Sequence, residues 1–227
     1  MKTIVVIGGS KGIGNAIVSH LLANNKVINI SRTAPEQTHE NLTHISCNVL
    51  EDELPDIDTV DSLIYCPGSI NLKPISRLTI DDFKSDFEIN VLGAVKAIQK
   101  YLPSLKKNEK PSILLFSTVA AKLGMPFHAS VAASKAGVEG LVKSLGAELA
   151  PTVRVNAIAP TVTDTQLASK LLRNEKMIDA ITDRHPLKKF LNPQEVAEMA
   201  VFLISDKAAS LSGQVIEMDC GIVSFKI

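Results

Sequence analysis

"TIVVIGGSKGIGNAIVSHLLAN", residues 3–24, decides the fold. Its first five residues are apolar or β-branched without a break, the pattern of a strand covered by helices on both faces. The run ends in GGSKGIG, residues 8–14, and passes at once into an amphipathic helical pattern expected over 12–24. Gly8, Gly12 and Gly14 let the backbone turn tightly and bring a phosphate group up to the helix N-terminus. Free N–H groups and the helix dipole favour negative charge there. A glycine turn alone merely reverses a chain. With a strand before it and a helix after it, the turn reads as a nucleotide cradle built from Gly8, Ser10, Lys11, Gly12, Ile13 and Gly14. The spacing excludes a P-loop, because no Gly-Lys-Ser/Thr follows the turn.

Outward from this unit, strand-length apolar runs alternate with longer amphipathic segments. Strands are expected at about 3–7, 26–30, 43–47, 61–66, 111–117, 152–158 and 214–218, and helices at about 12–24, 79–88, 90–107, 130–149, 164–182 and 193–204. Thr79 and Asn192 stand where helix caps are needed, followed by acids or proline in the first turn. Between the third and fourth strands, NVLEDELPDIDTV is too short and proline-interrupted for a full crossover helix; one or two turns, or a bare loop, must cross there. The alternation implies an α/β architecture: a single-domain, Rossmann-like doubly wound parallel sheet with helices on both faces.

The 227 residues suit one large domain rather than two. Lysine plus arginine and aspartate plus glutamate balance at 24 each, so no electrostatic case exists for nucleic acid or an anionic membrane. No apolar run approaches the ~18 residues of a membrane span. Cys47, Cys66 and Cys220 form no CxxC pair and no metal spacing, and a reducing cytoplasm is the expected setting. At the end of the second strand, NISRT places Ser31 and Arg32 where an NAD-selective site would carry an acid for the ribose 2′-hydroxyl. With Lys11 in the loop, two cations and no acid favour a 2′-phosphate, hence NADP(H) over NAD(H). Most lone arginines are solvated surface residues, but Arg32 falls where the acid would be required.

Several motifs in order make the chain resemble a short-chain dehydrogenase/reductase of the 3-oxoacyl-[acyl-carrier-protein] reductase kind. IGGSKGIG matches the family's TGxxxGIG, with Ile7 replacing the threonine. FEINVLGA (87–94) matches its asparagine motif, and ILLFSTVAA (113–121) its ISS strand. VRVNAIAPTVTDT (153–165) matches VNxxxPGxxxT, and residues 192–221 the closing helix, loop and strand. The resemblance implies seven strands in the order 3-2-1-4-5-6-7 and hydride transfer between a nicotinamide and a carbonyl or alcohol substrate. It also implies a homotetramer or homodimer built on the helices at 90–107 and 130–149 and on the C-terminal strand, and a variable lid over the substrate at 163–191.

Carried over by position, Asn90 supports a proton-relay water, Thr118 replaces the serine that polarises the carbonyl, and Lys135 holds the nicotinamide ribose. The tyrosine that should donate the proton is Val131. Asn48 and Val49 occupy the adenine-contacting turn, and Tyr65-Cys66-Pro67-Gly68 replaces NNAG. Pro160, Val162 and Thr165 complete the cofactor surface, with Thr161 replacing a glycine. Three readings stay open. One is an active reductase with a relocated acid, from His128, Ser130, Thr118 or Lys135 acting through water. The second is an NADP(H)-binding pseudoenzyme serving as sensor, scaffold or partner. The third is a deliberate Tyr-to-Val replacement. Tyr65 is expected to wall the nucleotide cleft, Tyr101 to pack in a helix, and Cys66 to be a small buried hydrophobe.

Overall fold

The computed structural model describes residues 1–225. Seven strands form one parallel sheet in the order β3-β2-β1-β4-β5-β6-β7. They are β1 Lys2–Ile7, β2 Asn25–Ser31, β3 Leu42–Ser46, β4 Ser62–Tyr65, β5 Ser112–Phe116, β6 Arg154–Pro160 and β7 Val215–Met218. Six α-helices accompany them: α1 Gly12–Leu21, α2 Ile80–Phe87, α3 Gly93–Leu105, α4 Ala129–Glu148, α5 Glu175–Arg184 and α6 Pro193–Ile204. The central strands are apolar along their length because both faces are covered. One core lies between the sheet and α3 and α4, around Leu63, Ile98, Leu105, Leu115 and Val142. The other lies between the sheet and α1 and α6, around Ile4, Ile17, Leu114, Ile158 and Val196.

The caps read from sequence close as full capping boxes, Thr79 with Asp82 and Asn192 with Glu195. Residues 48–61 cross as a bare loop, one of the two expected forms. Two expectations need correction. The helices expected at 79–88 and 90–107 are one helical run, joined by a π-turn over Glu88–Leu92. The helix expected over 164–182 begins only at Glu175, capped by the Asn174 side chain on the Met177 amide. Thr165 is extended (φ −140°, ψ 161°) and only a short 3-10 turn, Gln166–Ala168, precedes that helix. Among the described residues no helix is long and apolar enough to cross a membrane.

Candidate active site

At the carboxyl end of the sheet, β1 stops at Ile7 and the glycine loop is held from two sides. The Gly8 amide donates to the Ile30 carbonyl (2.8 Å), and the Gly9 amide to Asn29 Oδ1 (2.9 Å). Asn29 is wholly buried in β2, and its amide in turn donates to Ser31 Oγ (3.0 Å). Gly8 and Gly12 adopt φ of 78° and 53°, the left-handed region that suits glycine. A Cβ on Gly14 would collide with the Gly8 carbonyl oxygen, so the third glycine lets α1 seat against the loop. Lys11, at the helix cap, supplies no side-chain cap bond, which leaves the first amides of α1 facing outward.

Around this loop the structure gathers most of the residues singled out by sequence. A cavity of about 180 Å³ is lined by Ile13, Cys66, Gly68, Thr118, His128, Val131, Lys135, Pro160, Val162 and Thr165, among others. Gly12 packs on the Thr165 side chain and Gly8 on the Pro67 ring. Ser10 Oγ and Thr33 Oγ1 meet at 3.2 Å, and Ser31 turns inward to donate to the Thr33 carbonyl. The Lys11 and Arg32 side chains are exposed and make no hydrogen bond or ion pair with the described residues. The Asn48 carbonyl oxygen folds back onto the Leu50 amide (3.2 Å), and Val49 is buried in the core.

The π-turn sets Asn90. Its side-chain amide donates to the Asp86 carbonyl (2.7 Å) and Ser134 Oγ (3.2 Å), while its own Oδ1 is buried without a partner among the described residues. Tyr65 holds this turn from below. Its hydroxyl donates to the Ile89 carbonyl (2.7 Å) and occupies the space that a Cβ on Gly93 would need. The expectation that Tyr65 walls the cleft is therefore corrected: it is 2% exposed and supports the site from beneath. Tyr101 packs as expected, its hydroxyl bonded to the Pro55 carbonyl.

Lys135 reaches the cleft from α4, and its ammonium donates to the Phe116 carbonyl (2.7 Å). Burial lowers its pKa to about 8, opposed by nearby Cys66 and Asp86. Burial likewise pushes the Cys66 thiol up to about 12, with Lys135 pulling it down. Cys66 is thus no mere packing residue, since it faces the cleft beside the amine. Thr118 Oγ1 accepts from the Ala120 amide (3.3 Å), which leaves its own proton free to donate into the cleft. His128 Nδ1 lies 2.7 Å from the Pro126 carbonyl, a pairing in which it donates and leaves Nε2 for a ligand. Ser130 does not reach the cleft; it is buried and donates to Asp86 Oδ2 (2.5 Å). Val131 lines the cleft with a side chain that neither gives nor takes a proton.

The segment 163–191 leaves and returns through a narrow neck. Thr163 and Leu191 form a parallel bridge, with amides donating from Leu191 to the Val162 carbonyl and from Asp164 to the Leu191 carbonyl. Near its end, His185 is wholly buried between the Ile181 carbonyl and Thr161 Oγ1, each at 2.7 Å. Sequence reasoning missed Asn29, Ser69, Asp86 and His185. The polar string DDFKSDFEIN reads as a solvated face, and only the fold turns Asp86 inward.

These groups fit a dinucleotide. The positive-φ glycines and open helix amides suit a phosphate group, and the Lys135 amine lines the same cleft, with the orphaned Asn90 oxygen behind it at Gly68. The family model described as enoyl-(acyl carrier protein) reductase matches residues 8–223. The 3-oxoacyl-[acyl-carrier-protein] reductase FabG of Thermotoga maritima is 34% identical over 176 residues, covering 77% of this chain and 71% of its own. Among solved structures, the aldohexose dehydrogenase of Thermoplasma acidophilum superposes with TM-score 0.91 at 28% identity, covering 99% of this chain and 95% of its own. A short-chain dehydrogenase family protein from Francisella tularensis gives 0.89 at 26%, covering 99% and 100%. The seven-stranded sheet order agrees with these likenesses, the family model spans almost the whole chain, and the chain belongs to the short-chain dehydrogenase/reductase family.

Proposed function

We propose that the protein is an NADP(H)-dependent oxidoreductase interconverting a carbonyl and an alcohol, with a proton donor other than residue 131. When bound, the nicotinamide supplies or takes up hydride. Gly8, Ser10, Gly12, Ile13 and Gly14 receive the diphosphate, and Pro67, Gly68, Pro160, Val162 and Thr165 wall the rest of the dinucleotide. Lys135 and Asn90 fix its reactive end, and Thr118 polarises the substrate oxygen. Ser31, Asn48 and Val49 bound the adenosine half, where Lys11 and Arg32 have their charges free for a 2′-phosphate. The observation that carries the reading is the convergence of Thr118, Val131 and Lys135 on one cleft that also contains Ile13 and Thr165 of the nucleotide side.

The names of the relatives make a 3-oxoacyl thioester the first substrate class to try, and the apolar walls Ile70, Met125, Leu167 and Leu171 accept an acyl chain. A cytoplasmic setting and a homotetramer or homodimer joined through α3 and α4 accompany this reading. Titrating the protein with NADPH and NADH by fluorescence tests the cofactor. Arg32→Ala should weaken NADPH about 10–30-fold and leave NADH unchanged, the worth of one charge-assisted contact. Tighter binding of NADH by the parent protein would refute the NADP(H) assignment. Turnover of acetoacetyl-CoA rather than crotonyl-CoA identifies a carbonyl rather than an alkene substrate. Tight NADPH binding with no turnover across a carbonyl panel would instead establish the pseudoenzyme reading, for which Val131 is the specific observation.

A further inference from the structure

We propose that the displaced proton donor is the Ser69 hydroxyl, recharged by the buried carboxyl of Asp86. The inference rests on the oxidoreductase reading above. Asp86 is 0% exposed, yet three side chains donate to it. Ser69 Oγ (2.5 Å) and Asn71 Nδ2 (2.9 Å) bond Oδ1, and Ser130 Oγ (2.5 Å) bonds Oδ2. None of the described basic side chains forms an ion pair with it. A fully enclosed carboxyl is expensive to keep unless it is hydrogen-bonded, and this one is hydrogen-bonded on both oxygens.

Two of these partners fix its relation to the chemistry. Ser130 immediately precedes Val131, so Asp86 is anchored beside the turn of α4 that carries no phenol. Ser69 follows Gly68, whose α-carbon faces Asn90 Oδ1 and the Lys135 amine, and Ser69 itself lines the cleft. One carboxyl group thereby ties a cleft hydroxyl to the residue next to position 131. Asn90 Nδ2 adds a long contact to Ser69 Oγ (3.4 Å), drawing the serine to the same corner. Ser117 also lines the cleft and donates to a carboxylate, but that partner is Glu139, two turns beyond Val131 along α4.

The step moves protons only. In alcohol oxidation, the substrate O–H bond breaks as its proton joins Ser69 Oγ, and the proton that Ser69 donates to Asp86 Oδ1 passes to that carboxylate. The proton returns to solvent through Ser69 once product has left the cleft. Reduction runs the same path backwards, Asp86 returning its proton to Ser69 as Ser69 gives its own to the substrate oxygen. Other titratable groups surround the pair and must be followed with it. Lys135, Cys66 and His128 line the same cleft as Ser69, and Asp82, on α2 with Asp86, is paired with Lys73.

The test follows NADPH oxidation with acetoacetyl-CoA. Ser69→Ala should lower kcat by 10²-fold or more with KM changed less than threefold, as removal of a general acid does. Ser69→Thr should retain most of the rate. Val131→Tyr placed on Ser69→Ala should restore turnover, because a phenol replaces the lost donor; damage to the fold would not be rescued this way. Asp86→Asn should lower kcat about as far as Ser69→Ala does, with KM again little changed. Independently of turnover, the carboxyl infrared band that disappears in Asp86→Asn should shift in Ser69→Ala. Full activity in Ser69→Ala, or failure of Val131→Tyr to rescue it, overturns the proposal. A parent protein that binds NADPH but turns over only as Val131→Tyr also overturns it, with the cofactor reading intact. Failure of the parent to bind NADPH sinks that reading itself.

Discussion

Replacing Lys135 with methionine should make the cofactor-free protein more stable at neutral pH. The residue is 8% exposed, and burial draws its pKa from the ordinary 10.5 down to about 8. A base whose folded pKa lies below its unfolded value holds its proton less well in the folded chain. The penalty is therefore full below about pH 8, shrinks as the pH rises from 8 toward 10.5, and is gone above that. At about 1.36 kcal/mol per pH unit the interval amounts to about 3 kcal/mol. Methionine keeps the length of the side chain but forfeits the bond to the Phe116 carbonyl, about 1 kcal/mol. A net gain of about 2 kcal/mol should raise Tm by roughly 4–8 °C at pH 7 in a domain of this size. Thermal melts from neutral to strongly alkaline pH should show the advantage fade and then reverse, while NADPH binding is weakened throughout. A variant no more stable at pH 7, or one whose difference from the parent ignores pH, would refute the reasoning.

Other perturbations probe the frame around that lysine. Gly14→Ala forces a methyl group against the Gly8 carbonyl. Overpacking of this kind costs about 1–3 kcal/mol, so Tm should fall by several degrees and NADPH affinity by tenfold or more, read by melts and fluorescence titration. His185→Ala strips the partner from Thr161 Oγ1 and the Ile181 carbonyl and leaves a hole at the base of segment 163–191. A loss of about 2–4 kcal/mol is expected, with faster limited proteolysis within 163–191 and a raised KM.

The fold was legible because its signals are local and agree with one another. Continuous apolar strands, a glycine turn and strong caps each point to the same parallel sheet. The cleft was legible where a residue's place follows from chain position, as for Gly12, Lys135 and Thr165. It was illegible where a side chain's meaning depends on which way the fold turns it. Ser130 and Tyr65 sit at the right positions in the chain yet point beneath the cleft. Asp86, one charge in a polar string, becomes a buried acid only because α2 packs on α4. Asn90 was recognised, but the π-turn that presents it carries no periodic signature, so the run was divided in two.

The pinched base of segment 163–191 uncouples it from the sheet. Because Thr163 and Leu191 are joined across the neck, everything between them forms a closed excursion whose length need not be registered with any strand. Insertions or wholesale exchange there would leave the sheet behind it undisturbed.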